Sequence, residues 1–396
     1  MKRSGGPYPF LIAICSLIAL GACGKTGPTA AGTPPSPLIA ESIPSAGEPT
    51  VTTFPLAPPS LPVPSVAISL NADGSGDYAS LEETVKNAPD GAAIHLSAGT
   101  YHIRKPLKVV KSIQLLGSGM DTTMIMTEFT TAEPAAIASS GELFVARDLA
   151  FRYVGDGGTD LVWASGERSV IERCRFQGAA SLENAGLALG AGLRIGGGEA
   201  YVADSEFKRN VFGILFEFDA RGVARGNTTR ENEIGIAVFG EARPALVDNT
   251  STENEFGIGI FGQSRPHLEG NLCVGNRQAG ISVAEQARPV LLRNRTLQNG
   301  AFGIAYSDSA GGNASGNECS HNQAGILVSD QAQPTLEGTS CNKNQKAGIV
   351  YSDGAGGLAQ ENVCSGNNLG IWIQGEASPE LVDNRCGDDA GGDVVP

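Results

Sequence analysis

Four histidines, four methionines and two tryptophans are all that 396 residues supply of these types. Scattered as they are, the histidines and methionines build no copper site, and His95, His102, His267 and His321 read as structural or surface residues rather than general bases. Positive charge is also short, with 28 Lys and Arg against 42 Asp and Glu, giving a formal charge of −14 and a pI of about 4.8. That balance argues against nucleic acid or an anionic surface as a partner. Apart from Phe10 to Leu20 the chain has no long apolar run, and that one is too short for a comfortable membrane span.

What is present is a repeat. A Gly-Ile pair recurs at Gly213, Gly235, Gly257, Gly280, Gly303, Gly325, Gly348 and Gly370, at steps of 22 or 23 residues. An Asn follows fourteen residues after each Gly, at Asn227, Asn249, Asn271, Asn294, Asn317, Asn362 and Asn384, with Thr339 the exception. Five residues further on stands a second column, Asn232, Asn254, Asn276, Asn299, Asn322, Asn344, Asn367 and finally Asp389. A fixed period of this size marks a solenoid. The Leu-x-x-Leu-x-Leu frame of leucine-rich repeats is absent, and apolar residues alternate, as in Gly235-Ile236-Ala237-Val238, so each unit is a coil of short strands. Gly and Asn are expected at the corners, where positive φ is tolerated. Coils stacked about 4.8 Å apart turn each column into a ladder, and buried Asn amides can then hydrogen-bond from coil to coil.

The units from Gly235 to Asn299, of the form Gly-Ile-x-Val-x-x-x-Ala-x-Pro-x-Leu-x-x-Asn-x-Cys-x-x-Asn, resemble the right-handed parallel β-helix repeats of the pectin-lyase-like superfamily. The resemblance covers roughly Ile68 to Asp389. It implies an all-β, single-stranded solenoid of about thirteen coils with a short helix capping the N-terminal end. Fold alone does not name an activity, since the superfamily includes lyases, hydrolases, epimerases and tail spikes.

Three segments follow in chain order. Residues 1–22 read as an export signal, with Lys2 and Arg3 before the apolar core. Leu20-Gly21-Ala22-Cys23 resembles the bacterial lipobox, which implies lipidation at Cys23 and a chain held at the cell envelope, outer membrane or cell surface. Residues 23–65 are rich in Pro, Ser, Thr, Ala and Gly and read as an extended tether. Residues 66–396 form the folded domain, in which Ser80 and Glu83 make a capping box for a helix reaching about Asn87, with Leu81, Val85 and Ala88 on its apolar face. The run Asp73 to Gly119 resembles the opening of pectin methylesterases. From about Thr123 to Asn210 the coils lose their regularity and carry longer turns, which is where function is usually grafted on a solenoid.

Three columns of the regular coils carry candidate chemistry. Cys273, Cys319, Cys341, Cys364 and Cys386 share one position, where a buried ladder of thiols is expected ahead of disulfides or a thiolate metal site. Arg221, Arg243, Arg265 and Arg288 stand eight residues after Gly. They either pair with acids such as Asp219 and Glu241 or form a strip for uronate, sulfate or phosphate groups. Glu285, Asp308, Asp330 and Asp353 stand five residues after Gly, either solvated or holding Ca²⁺. Calcium-dependent pectate lyases, within the family resembled, also place acids on neighbouring coils.

Catalytic signatures of that family are missing. The Gln-Asp-Thr-Leu, Asp-Phe-Ile-Phe-Gly and Gly-Arg-Pro-Trp segments of pectin methylesterases, the Gly-His-Gly of polygalacturonases and the Asp-Pro-His-Glu of alginate epimerases do not occur. The expectation is therefore an envelope-anchored lipoprotein that binds or scaffolds acidic polysaccharide, needs no cofactor, and has no nucleic-acid partner. The alternative is a polysaccharide lyase, hydrolase or epimerase with its site in residues 123–210, where Arg152, Asp160, Arg168 and Arg194 would converge. A third reading is assembly through the strand edges of the last coil.

Overall fold

The computed structural model describes residues 58–181, 190–392, 394 and 395. The expected signal segment, Cys23 and most of the expected tether lie outside the described residues. Within them the chain winds a parallel β-solenoid whose strands form three sheets. Sheet A has 14 strands, from Ala67–Leu70 to Glu380–Val382, and sheets B and C have 13 each, from Gly99–Ile103 to Arg385–Gly387 and from Leu107–Val109 to Val394–Val395. Each regular coil runs through C, then A, then B, as in Phe212–Phe216, Arg221–Arg225 and Thr228–Arg230. The stack is one turn longer than the repeat count suggested, because Ala67–Leu70 already pairs in register with the strand Ala92–Leu96.

Helix α1 (Leu81–Asn87) begins at Ser80, whose hydroxyl accepts from Glu83 N at 3.1 Å. The return arm of the expected capping box is displaced by one residue, since the Glu83 carboxylate accepts from Ala79 N. Leu81, Val85 and Ala88 join the same core as Ile68 and Leu70, so the helix closes the first coil, whose apolar interior would otherwise face water. Residues just before Val66 already touch the solenoid: Ser65 Oγ donates to Asp90 O at 2.7 Å and Gln114 Nε2 to Pro62 O. At the other end Val394–Val395 pair with Ile371 and Trp372, which covers part of the sheet C edge.

The Asn columns are ladders. Asn249 Nδ2 donates to Ala224 O in the coil before (2.8 Å) and to Asn271 Oδ1 in the coil after (2.9 Å), while Asn249 N also donates to Asn271 Oδ1 (3.0 Å). An amide with an Asn in the next coil thus ties three coils, and the pattern repeats in the second column. At Thr339 the hydroxyl turns to Glu337 O instead, though Thr339 N still donates to Asn362 Oδ1 at 2.9 Å.

The corner assignment needs correction. Positive φ belongs to the residue before each ladder Asn, as at Asp248 (51°) and Glu253 (57°), and not to the Asn itself. The repeated Gly is a strand residue kept small by crowding: a Cβ on Gly257 would lie 2.5 Å from Gly280 O and 3.0 Å from Asn276 Nδ2. The Cys column faces the core as expected, Cys273, Cys319, Cys341 and Cys364 being fully buried, and the six described cysteines are thiols. Burial pushes Cys341 well above the ordinary thiol range.

Candidate functional site

Two of the four residues expected to converge in the irregular coils do so. Asp160 opens the sheet C strand Asp160–Ala164 and Arg194 lies on the next one, Ala191–Ile195. Arg194 Nε stands 2.6 Å from Asp160 Oδ2, and Arg194 Nη1 donates to Glu217 Oε1 at 3.3 Å from the coil beyond. The other Asp160 oxygen accepts from Gly190 N and Ala191 N at 2.9 and 2.8 Å, which anchors the chain where it re-enters the sheet. Trp163 and Arg194 are register partners, and the guanidinium lies over the indole ring at 5.5 Å from its centroid.

This is a buried, charged cluster. Asp160 is fully buried and Glu217 is 3% exposed, so one guanidinium serves two carboxylates out of water. Burial pushes Asp160 up to about 6, with the Glu217 charge adding to it, while Arg194 and the two backbone N–H groups pull the other way. A carboxyl in that range can take or give a proton near neutral pH, as acid–base chemistry requires.

Arg152 and Arg168 do not join it. Arg152 is exposed on the sheet B strand Ala150–Tyr153, and Arg168 begins the sheet A strand Arg168–Glu172, so three different faces separate the expected quartet. The sequence reading missed Glu217, Phe218 and Trp163. Glu217 and Phe218 carried a signal, because they break columns: Glu217 stands where later coils have Phe239, Phe261, Ala284 and Ser307, and Phe218 where they have Gly240 and Gly262.

The acidic column has a structural account. Glu285, Asp308, Asp330 and Asp353 sit at a corner with φ between 55° and 60°. Each of the first three accepts from a backbone N–H one coil back, Gly262 N to Glu285 (2.5 Å), Glu285 N to Asp308 (3.0 Å) and Asp308 N to Asp330 (3.1 Å). Among the described residues no three of His, Cys, Asp and Glu come together as metal ligands. The arginine column is exposed at all four positions, and the pairs with Asp219 and Glu241 that the sequence suggested are not formed. A cleft of about 300 Å³ lies at the N-terminal end of the solenoid, between α1 and Leu107–Val110, where Lys111 caps the helix end by donating to Ala88 O at 2.7 Å.

The model of the right-handed β-helix region matches residues 137–297 and 261–386, which together span more than half of the chain. The chain belongs to the right-handed β-helix family. A pectinesterase model matches residues 67–181 of this β-helix, a stretch that includes Asp160. A probable pectinesterase/pectinesterase inhibitor of Arabidopsis thaliana is 33% identical over 123 residues, 27% of this chain and 23% of its own length. A pectinesterase of Daucus carota is 35% identical over 100 residues, 22% of this chain and 31% of its own length. The chain therefore spans less than a third of these curated relatives. Among solved structures, the Azotobacter vinelandii mannuronan C-5 epimerase AlgE4 A-module superposes with a TM-score of 0.52 at 15% identity, covering 79% of this chain and 89% of that one. The catalytic unit of a Streptomyces thermodiastaticus α-1,3-glucanase gives 0.59 at 15% identity, covering 79% and 64%. At that identity the likeness is one of fold.

Proposed function

We propose that this β-helix is an enzyme that modifies an acidic polysaccharide on the outer face of sheet C. The observation that carries the reading is the buried Asp160–Arg194–Glu217 cluster, where the irregular coils meet the first regular one. In this reading Asp160, sealed from solvent and held by two backbone N–H groups, positions Arg194 and tunes the charge of the cluster, Arg194 offsets the negative charge of the sugar acid, and Trp163 gives an apolar wall for a ring. The reaction class is that of a lyase, hydrolase or epimerase. The pectinesterase, epimerase and glucanase names of the similar proteins support a carbohydrate substrate. The lipobox-like Leu20-Gly21-Ala22-Cys23 supports an exported enzyme held at the envelope by a lipid on Cys23. Binding without turnover is a second reading, favoured by the exposed arginine column.

The test is incubation of the protein with pectin, polygalacturonate, alginate and an α-1,3-glucan, reading chain cleavage, released methanol and epimerised units. An acidic polymer is expected to be altered, and Asp160→Asn to lose about a hundredfold or more of the rate. No change in any polymer, or full activity in Asp160→Asn, would overturn the enzymatic reading.

A further inference from the structure

Many of the described arginines are answered by an acid on a neighbouring coil. Arg173 meets Asp148, Arg209 meets Glu231 and Arg277 meets Glu255, each at 2.6 Å, and Arg295 meets Glu318 at 2.8 Å. The corner between sheets C and A is different. Arg221, Arg243, Arg265 and Arg288 rise there in successive coils, Arg221 and Arg243 as register partners, and among the described residues none has a carboxylate within ion-pair reach. Arg168, earlier in the same column, is likewise without one. Arg288 turns to carbonyls, donating to Ser309 O (2.6 Å) and Ala287 O (3.1 Å). Three exposed arginines then remain in line, on strands about 4.8 Å apart, with no described carboxylate in ion-pair reach to offset their mutual repulsion.

A second feature stands beside them. Phe218 is 61% exposed and holds φ 58°, a conformation that costs a bulky residue about 1–2 kcal/mol. At the same corner the next coils place Gly240 and Gly262, which meet that φ without strain. An aromatic ring that is strained and exposed contributes nothing to the core, yet it offers a flat apolar face three residues before Arg221.

We propose that Phe218, Arg221, Arg243 and Arg265 bind a linear acidic polysaccharide laid along the solenoid axis. The ring of Phe218 stacks on a sugar, and the guanidiniums take carboxylates of successive units, one coil after another. The strip has a defined far end. Beyond Arg288 its column turns neutral, at Gly311, Gln333 and Gly356, while the neighbouring corner turns acidic, at Asp308, Asp330 and Asp353. Its near end is Phe218, adjacent in sequence to Glu217 of the buried cluster. Polymer held on the strip therefore reaches the sheet C face where turnover is proposed. The inference rests on the proposed function for the substrate class alone. The overall charge of −14 repels polyanions at long range, so affinity must come from these contacts.

Calorimetric titration of the folded protein with long and short oligogalacturonides, a neutral oligoglucan and a single-stranded oligonucleotide tests this. The wild type is expected to bind the long oligogalacturonide more tightly than the short one and to ignore the other two. The combined variant R221A/R243A/R265A should weaken binding by about tenfold or more, and Phe218→Ala by several-fold. Asp160→Asn should bind as the wild type does while its turnover is lost. Undiminished affinity in the triple-Arg variant, equal binding of the neutral sugar or of the oligonucleotide, or no binding by the wild type would each overturn the strip. Binding that depends on the arginines without any turnover would retain the strip and remove the enzyme, whereas turnover unaffected by the arginine changes would do the reverse.

Discussion

The irregular and the regular coils bury polar groups in opposite ways. From Phe218 onward the buried polar side chains are Asn, Ser and Thr, all neutral. Between Asp160 and Glu217 they include Asp160, Glu172, Arg194 and Glu217, four ionisable groups within two or three coils, with Glu172 paired to Arg147. Amides suit a repeat because each has both donor and acceptor and can pass the bond on to an identical neighbour. A charge cannot be propagated that way, since the next copy would repel it. Charge burial is therefore confined to the stretch where the period fails and to the first regular coil that borders it. The cost of burying those charges is not offset by any gain in repeat packing, which is the physical reason to look for chemistry there.

The comparison is broken most severely on the neutral side. Asn254→Ala removes the two bonds its amide donates, to Thr229 O and Asn276 Oδ1, and the two it accepts from Asn232. Several buried groups are left without partners, so a loss of about 4 kcal/mol or more is expected in urea unfolding. A variant as stable as the wild type would mean that the ladder decorates the fold and does not hold it.

On the charged side the signature is pH dependence. Burial raises Asp160 from 3.8 to about 6, so the folded state holds this proton more firmly than the unfolded chain does. Its contribution to stability is fully present below about 4 and is lost as pH rises through about 6, a change of about 3 kcal/mol. Asp160→Asn should flatten the curve of unfolding free energy against pH in that window. The buried Asn column should show no such window, because amides do not titrate. Identical curves for wild type and Asp160→Asn would show that the cluster does not carry a titrating proton.

The regular coils were legible in the sequence because a ladder writes the same constraint at every repeat. Gly257 and its equivalents are small because the next coil is close, and Asn249 and its equivalents are amides because both adjacent coils must be satisfied. Which column carries the positive φ was misread, since Asp248 and Gly270 share that corner and no single residue type marks it. In the irregular coils only half of the site was legible. Asp160 and Arg194 were found as charges in a disturbed region, but Arg152 and Arg168 looked equivalent until the sheets assigned them to other faces. Glu217 and Phe218 lie inside the regular repeat, and their meaning rests on how they differ from the residues above them.

Phe218 gives the smallest and sharpest contrast between the two regions, because it stands at their border. Phe218→Gly installs the residue that the following two coils already use, removes the strain of a bulky side chain at φ 58°, and leaves no cavity because the ring is exposed. A gain of about 1 kcal/mol in stability is expected, together with weaker binding of oligogalacturonide. A substitution that stabilises the fold while weakening the ligand separates the two demands on one residue. If Phe218→Gly instead destabilised the protein, the ring would be supporting the corner, and its exposure would lose its functional meaning.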